Sequence, residues 1–238
     1  MKKYLNKFYR KLRKDYMGSL IKVNKAKRLE PNAKEYLNKL AKAGYIEWIT
    51  WGWYRVPDDY RDFFDFLKKD KNFKVLSGQS AASFWNYDFV HREFFSLKVE
   101  DRSYKNALEI FAKGKGWKVE VKHVKDISEL KYTKKDGIFV ETPEETIINC
   151  IQRWAFLDAF AVLYTNKYRI VMKELCRRTY WKRIARSDVR VRQALKYATY
   201  RFNQSTKEKI FRTRKATIED EFVRNNIDEA IDKVVELA

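Results

Sequence analysis

Apolar residues recur at helical spacing from the first turn of the chain. Tyr4, Leu5, Phe8, Leu12 and Tyr16 share one stripe with Lys and Arg between them, which predicts a helix over residues 2–16 that Gly18 stops. Residues 23–29 support a short second helix, broken by Glu30 and Pro31. Asn32 is then placed to cap a third helix that runs to Ala43 and ends at Gly44. Its inner face is Ala33, Tyr36, Leu37 and Leu40, so Lys34, Glu35, Asn38, Lys39 and Lys42 project from the other side. Residues 45–50 and 53–56 are rich in aromatic and β-branched side chains and read as two strands joined by a turn at Trp51 and Gly52. At alternate spacing Trp51 and Trp53 share one hairpin face if the turn between the strands does not intervene, and with Trp48 they are expected to pack mainly against the helices, stacking on nucleotides being the lesser alternative.

Pro57, Asp58 and Asp59 mark a boundary. Beyond it the periodicity changes repeatedly: helix over 60–67, strand over 73–76, helix over 79–85, strand over 94–99, helix over 104–113, and strands over 117–121 and 138–140, with turns at Gly78, Gly114, Gly116 and Gly137. Thr142, Pro143, Glu144 and Glu145 supply an N-cap hydroxyl, Pro at the first helical position and a Glu three residues past the cap. The helix that starts there carries Ile147, Ile148, Ile151 and Ala155 on one stripe and persists to about Tyr164. Further helix starts are read at Ser187, at Ser205 with Glu208 completing a capping box, and at Thr217. The expected fold class is α+β: an N-terminal winged helix-turn-helix over residues 1–58, a mixed α/β domain over 59–165 and a basic helical region over 166–238.

Composition changes this picture through charge. The 238 residues include 52 Lys and Arg against 32 Asp and Glu, a net +20, while 45% apolar residues provide material for cores. Residues 1–60 carry +9, residues 61–150 only +2 and residues 151–238 again +9; within the last segment 167–215 holds +14 and 216–238 holds −5. Surface ion pairs of the kind found in heat-stable proteins would raise both signs together and leave a one-sided excess unexplained, whereas clustered cations attract a polyanion. Two cysteines exclude a disulfide framework, and two histidines exclude a His-rich zinc site. No signal peptide or membrane span is read, so a cytoplasmic protein without a membrane partner is expected.

Three helices and a hairpin outline a winged helix, which suits duplex DNA because a helix with short polar and basic side chains fits the major groove while a basic hairpin grips the flanking backbone; docking of a protein is the alternative use of the same helix face. The DNA-binding candidates are Lys25, Asn32, Lys34, Asn38, Lys39, Lys42 and Arg55. A second basic patch comprises Arg177, Arg178, Lys182, Arg183, Arg186, Arg190 and Arg192, continued by Lys196 and Arg201 and interleaved with Tyr180, Trp181, Tyr197 and Tyr200. Cations neutralise phosphates and aromatics stack on bases, so this segment suits RNA, a longer DNA footprint or an acidic protein partner.

Enzyme chemistry finds less support. A nucleotidyltransferase core needs two carboxylates at alternate positions of a strand, and those positions here hold Ser96 and Lys98. Glu120 and Lys122 match half of a magnesium-dependent nuclease motif, for which Asp101 is the upstream carboxylate candidate; alternating charge on an exposed strand gives the same spacing. No catalytic residue, metal or cofactor is assigned.

Three segments together resemble the AbiEi-type antitoxins of type IV toxin–antitoxin systems. They are the hairpin region with Ala43, Gly44, Tyr45, Ile46 and then Gly52 to Pro57; the stretch Val75, Leu76, Ser77, Gly78, Gln79, Ser80, Ala81, Ala82; and the stretch from Gly137 to Ile148 containing Thr142, Pro143, Glu144 and Glu145. The position of Glu145 is usually Arg in that pattern. The resemblance covers residues 1–165 and implies a winged helix that represses its own operon, joined to a part that counters a cognate nucleotidyltransferase-like toxin. The basic segment beyond Tyr168 has no counterpart in it.

Overall fold

The computed structural model describes residues 1–86, 94–126, 128, 130–170 and 189–237. Its class is α+β. In chain order the elements are α1 (Lys3–Tyr16), β1 (Leu20–Lys22), α2 (Val23–Ala26), α3 (Ala33–Lys42), β2 (Glu47–Thr50), β3 (Trp53–Arg55), α4 (Phe63–Lys69), β4 (Val75–Leu76), α5 (Gly78–Trp85), β5 (Phe94–Val99), α6 (Arg102–Gly114), β6 (Lys118–His123), β7 (Tyr132–Lys135), β8 (Ile138–Glu141), α7 (Pro143–Gln152), α8 (Phe156–Thr165), α9 (Val189–Ser205) and α10 (Glu221–Glu236).

The chain forms two compact units, and neither is one continuous stretch. The first takes Met1–Lys74, Leu97–Ile127 and Asp136–Ile138; the second takes Val75–Ser96, Ser128–Lys135 and Phe139–Ala238. The boundary read after residue 58 therefore falls inside the first unit, and the one read after residue 165 falls inside the second.

In the first unit the apolar stripe of α1 (Leu5, Phe8, Leu12) packs with Ala33, Leu37 and Leu40 of α3 against Ile21, Tyr54 and Val56. A three-stranded antiparallel sheet, ordered β1-β3-β2, completes this core. Sequence periodicity missed β1, because three residues are too few to show a pattern. Gly18 turns the chain from α1 into β1 at φ +74, and a Cβ there would meet the Lys69 side chain at 3.1 Å. Asn32 precedes α3 but makes no side-chain cap hydrogen bond, so the expected cap is absent. The helix expected over 60–67 is shifted to Phe63–Lys69, because Asp62, not a residue near Pro57, accepts from the Asp65 N–H.

Asp70 anchors the sheet to the following elements. Its carboxylate accepts from Ser19 Oγ and Leu20 N at 2.9 Å, from Lys74 Nζ at 2.9 Å and from the Tyr104 hydroxyl at 2.6 Å. Burial pushes the Asp70 carboxyl up, but the Lys74 cation and these donors together hold it below the ordinary range. Burial, with the Asp70 charge adding to it, pushes the Tyr104 hydroxyl well above its ordinary value. Tyr104 in turn lies against Trp53 with ring centroids 5.6 Å apart.

In the second unit β4 pairs in parallel with β8, Val75 opposite Phe139 and Leu76 opposite Val140. Thr142 caps α7 as its sequence requires, accepting from Glu145 N. The stripe that continues to Tyr164 is two helices and not one: α7 ends at Gln152, Trp154 adopts φ +61, and α8 begins at Phe156. The break lets both apolar faces enter a single core, where Ile147, Ile148 and Ile151 meet Phe160, Leu195, Phe202, Ile227 and Ile231. Two expected helix starts are corrected. Ser205 ends α9 and starts no helix, since Lys207 takes φ +56; and α10 is capped by Asp220 accepting from Val223 N, three residues after Thr217. Ser187 lies outside the described residues. Among the described residues no helix is long and apolar enough to cross a membrane.

Candidate nucleic-acid interface

The outer face of α3 is built by subtraction. Once Ala33, Leu37 and Leu40 are buried, Lys34, Asn38, Lys39 and Lys42 are left exposed, as is Asn32 just before the helix. They are not equivalent. Lys39 pairs with Glu35 one turn away, which is the main reason its pKa is raised, and lies over the Tyr4 ring. Asn38 Oδ1 accepts the Tyr54 hydroxyl, which ties α3 to β3 and leaves the Asn38 amide donors without a partner among the described residues. Lys34 and Lys42 have no ion pair among the described residues.

Between α3 and the β2–β3 hairpin runs a groove of about 540 Å³, lined by Lys22, Val23, Asn24, Lys27, Lys34, Asn38, Trp48, Trp51, Gly52, Trp53, Tyr54 and Ser103. Three lysines and two exposed indoles share this wall. Lys22 is held there by Asp101 at 3.3 Å and Ser103 at 2.7 Å and lies over the Trp53 ring. Lys27 and Arg28 are exposed just past α2. Lys27 did not stand out in the sequence because it follows a four-residue helix too short to show a polar face. A second basic surface follows the outside of α1, where Lys3, Lys7, Arg10, Lys11 and Lys14 line a shallow groove of about 800 Å³.

Two DNA candidates occupy other places. Arg55 is 4% exposed. It donates to both carboxylate oxygens of Glu47 at 2.8 and 2.9 Å, to the Tyr60 hydroxyl at 3.2 Å and to the Asp58 carbonyl at 2.6 Å, and it lies over the Tyr60 ring. Burial opposes its charge, and the bonds to Tyr60 and Glu47 more than restore it, so its pKa stands above the usual value. A guanidinium with this set of partners is a strut of the hairpin. Lys25 is half-buried and donates to Asn72 Oδ1 at 2.7 Å. The placement of the tryptophans also differs from expectation. Ile49 is an extra residue between Trp48 and Thr50, and Trp51 lies in the turn, so Trp53 is buried while Trp48 and Trp51 are 60% and 86% exposed.

Of the second basic patch, Arg177, Arg178, Lys182, Arg183 and Arg186 lie outside the described residues, as do Tyr180 and Trp181. Arg190 lies on α9, and Arg192 and Lys196 are exposed there. Further along, Arg201 is not available as a free cation: it pairs with Asp228 at 2.6 Å and Asp232 at 3.5 Å, and the Tyr197 hydroxyl donates to Asp228. The acidic α10 thus neutralises part of the charge of α9. Tyr197 is buried in the core. Lys207, Lys209, Arg212, Arg214 and Lys215 are exposed and form no ion pair among the described residues.

The residues weighed for enzyme chemistry lie on β5, on β6 and just before α6. Asp101 caps α6, accepting from Ser103 N at 2.8 Å and Tyr104 N at 3.2 Å, while also pairing with Lys22. Glu120 and Lys122 are exposed on β6, and Ser96 and Lys98 are buried on β5. Among the described residues no group of three or more His, Cys, Asp or Glu side chains is placed to hold a metal ion.

Residues 75–82 and 139–148 meet in the second unit. Glu141, fully buried at the end of β8, accepts from Gly78 N at 2.9 Å and from Asn149 Nδ2 at 3.0 Å, and its carbonyl accepts from Trp85 Nε1 at 2.8 Å. Compared with models of known protein families and with curated proteins, the chain matches none.

Proposed function

We propose that residues 1–58 are a winged helix that binds duplex DNA, with α3 entering the major groove and the β2–β3 hairpin as the wing. The reading is supported by the element order α1-β1-α2-α3-β2-β3 and by the antiparallel sheet β1-β3-β2. The observation that carries it is the exposed set Lys27, Lys34 and Lys42, which lies on or beside a polar helix face with Asn38 among it. Asn offers the donor and acceptor pattern that fits adenine, and unpaired lysines suit phosphates as point charges. Three neutralised phosphates give a slope of log affinity against log salt of about −2.7, hence about a 40-fold loss between 50 and 200 mM salt. Titration of a labelled duplex with the full chain across that range is the test. No binding at low salt, or binding indifferent to salt, refutes it.

The regulatory role is proposed on the three-segment resemblance: an antitoxin-type repressor of its own operon that also counters a nucleotidyltransferase-like toxin. The adjacency of the second and third stretches, through β4 beside β8 and Gly78 against Glu141, is compatible with one shared structural unit. Co-expression with the product of the neighbouring reading frame tests it; the antitoxin part falls if that product is harmless, or if this chain does not relieve its toxicity.

A further inference from the structure

The hairpin tip carries a feature that duplex binding alone does not use. Trp48 and Trp51 are 60% and 86% exposed, and both border the groove that holds Lys27 and Lys34. Burying a large aromatic side chain is favourable relative to leaving it in water, so two indoles left uncovered beside one groove point to an occupant that covers them. Gly52 follows Trp51 at φ +73, which lets the chain reverse directly after the exposed indole.

The lysines select an anion, and the indoles select a flat ring with both faces available. In a continuous duplex base faces are stacked on one another and only their edges reach the grooves. An indole stacks on a base face that neighbouring pairs leave uncovered, as at an unpaired nucleotide. Resting on the DNA-binding reading above, we propose that Trp48 and Trp51 hold an unpaired nucleobase while Lys27 and Lys34 neutralise its flanking phosphates. The preferred ligand is then DNA with an unpaired nucleotide beside duplex, and not a continuous duplex. The unpaired base lies against the hairpin tip, and the duplex beside it continues along α3.

The experiment uses the full chain and two labelled probes, a continuous duplex and the same duplex with a central one-nucleotide bulge, titrated at one fixed salt concentration. The wild-type chain is expected to favour the bulged probe. Trp51→Ala is expected to weaken the bulged probe about five- to 150-fold more than the continuous duplex, the equivalent of 1–3 kcal/mol of base stacking. Trp51→Phe retains a ring and keeps part of the preference. Circular dichroism checks that each variant is folded, which the exposure of Trp51 favours. Equal binding of the two probes by the wild-type chain overturns the inference and leaves duplex binding standing, as does an equal loss on both probes in Trp51→Ala. Failure of the wild-type chain to bind either probe removes both readings.

Discussion

Replacing Asp70 by Asn tests the buried tie on which the geometry of the hairpin depends. The carboxylate is fully buried, and the Lys74 ammonium 2.9 Å away is 5% exposed. Asn keeps one acceptor for Ser19 and Leu20 but removes the charge and turns an amide donor toward the donors on the other oxygen, Lys74, the Tyr104 hydroxyl and the Asn72 N–H. A buried charge stripped of its partner costs about 3–5 kcal/mol, whereas replacing the pair by apolar side chains of similar size is often neutral. Against a total stability of about 5–15 kcal/mol this is a large share. With a urea slope of about 2 kcal/mol per molar, the midpoint of the first unit falls by about 2 M. The assay is urea unfolding followed by tryptophan fluorescence, to which Trp53 reports directly because it lies against Tyr104. The double variant Asp70→Asn with Lys74→Met recovers much of the loss. A single-variant loss below about 1 kcal/mol, or a double variant no more stable than the single, refutes the account of Asp70 as a charge-paired anchor.

The same site sets a pH dependence. The Asp70 carboxyl is held below its ordinary range in the folded chain, so its contribution is complete above the unfolded value, about pH 3.9, and is lost as pH falls through the lower folded value. Acid unfolding should be correspondingly less steep in Asp70→Asn. Tyr104 has the opposite sign: its hydroxyl is raised, so its contribution is present below about pH 10 and is lost as pH rises beyond that, which Tyr104→Phe should abolish in alkaline titration. Lys34→Glu is expected to lower duplex affinity and reduce the salt slope by about 1 with little change in stability. Arg55→Ala should do the reverse, losing stability because Glu47, Tyr60 and the Asp58 carbonyl lose their donor; equal losses of affinity per unit of stability in the two variants would sink the distinction. Cys150 is fully buried and burial pushes its thiol well up, so alkylation of the native chain should spare it and reach it only on unfolding.

The elements were largely legible because their periods are local. The stripe Leu5, Phe8, Leu12 and the face Ala33, Leu37, Leu40 are each set by residues three or four apart, and so is the polar face that those burials leave on α3. The cap at Thr142 is equally local, since its acceptor and donor lie three residues apart. Where the reading failed, the deciding partner lay outside the three- and four-residue spacing of a helix or a single residue shifted the register. Arg55 resembles a free cation until Tyr60 and Glu47 close around it, and Arg201 until Asp228 comes to it from 27 residues away. One extra residue at Ile49 and a turn at Trp51 leave Trp48 and Trp51 in water while Trp53 stays buried, since a slip of one position turns a strand side chain over.

Alone, the sequence determined an α+β chain with two cationic segments and the helices from which its first unit is made, because composition and short-range periodicity require no knowledge of packing. The tertiary structure decided which cations remain open to a ligand and which are neutralised inside the fold, which indoles face water, and how Asp70 holds Ser19, Lys74 and Tyr104 together. Those outcomes depend on desolvation and on the approach of residues far apart in the chain, and no local pattern encodes either.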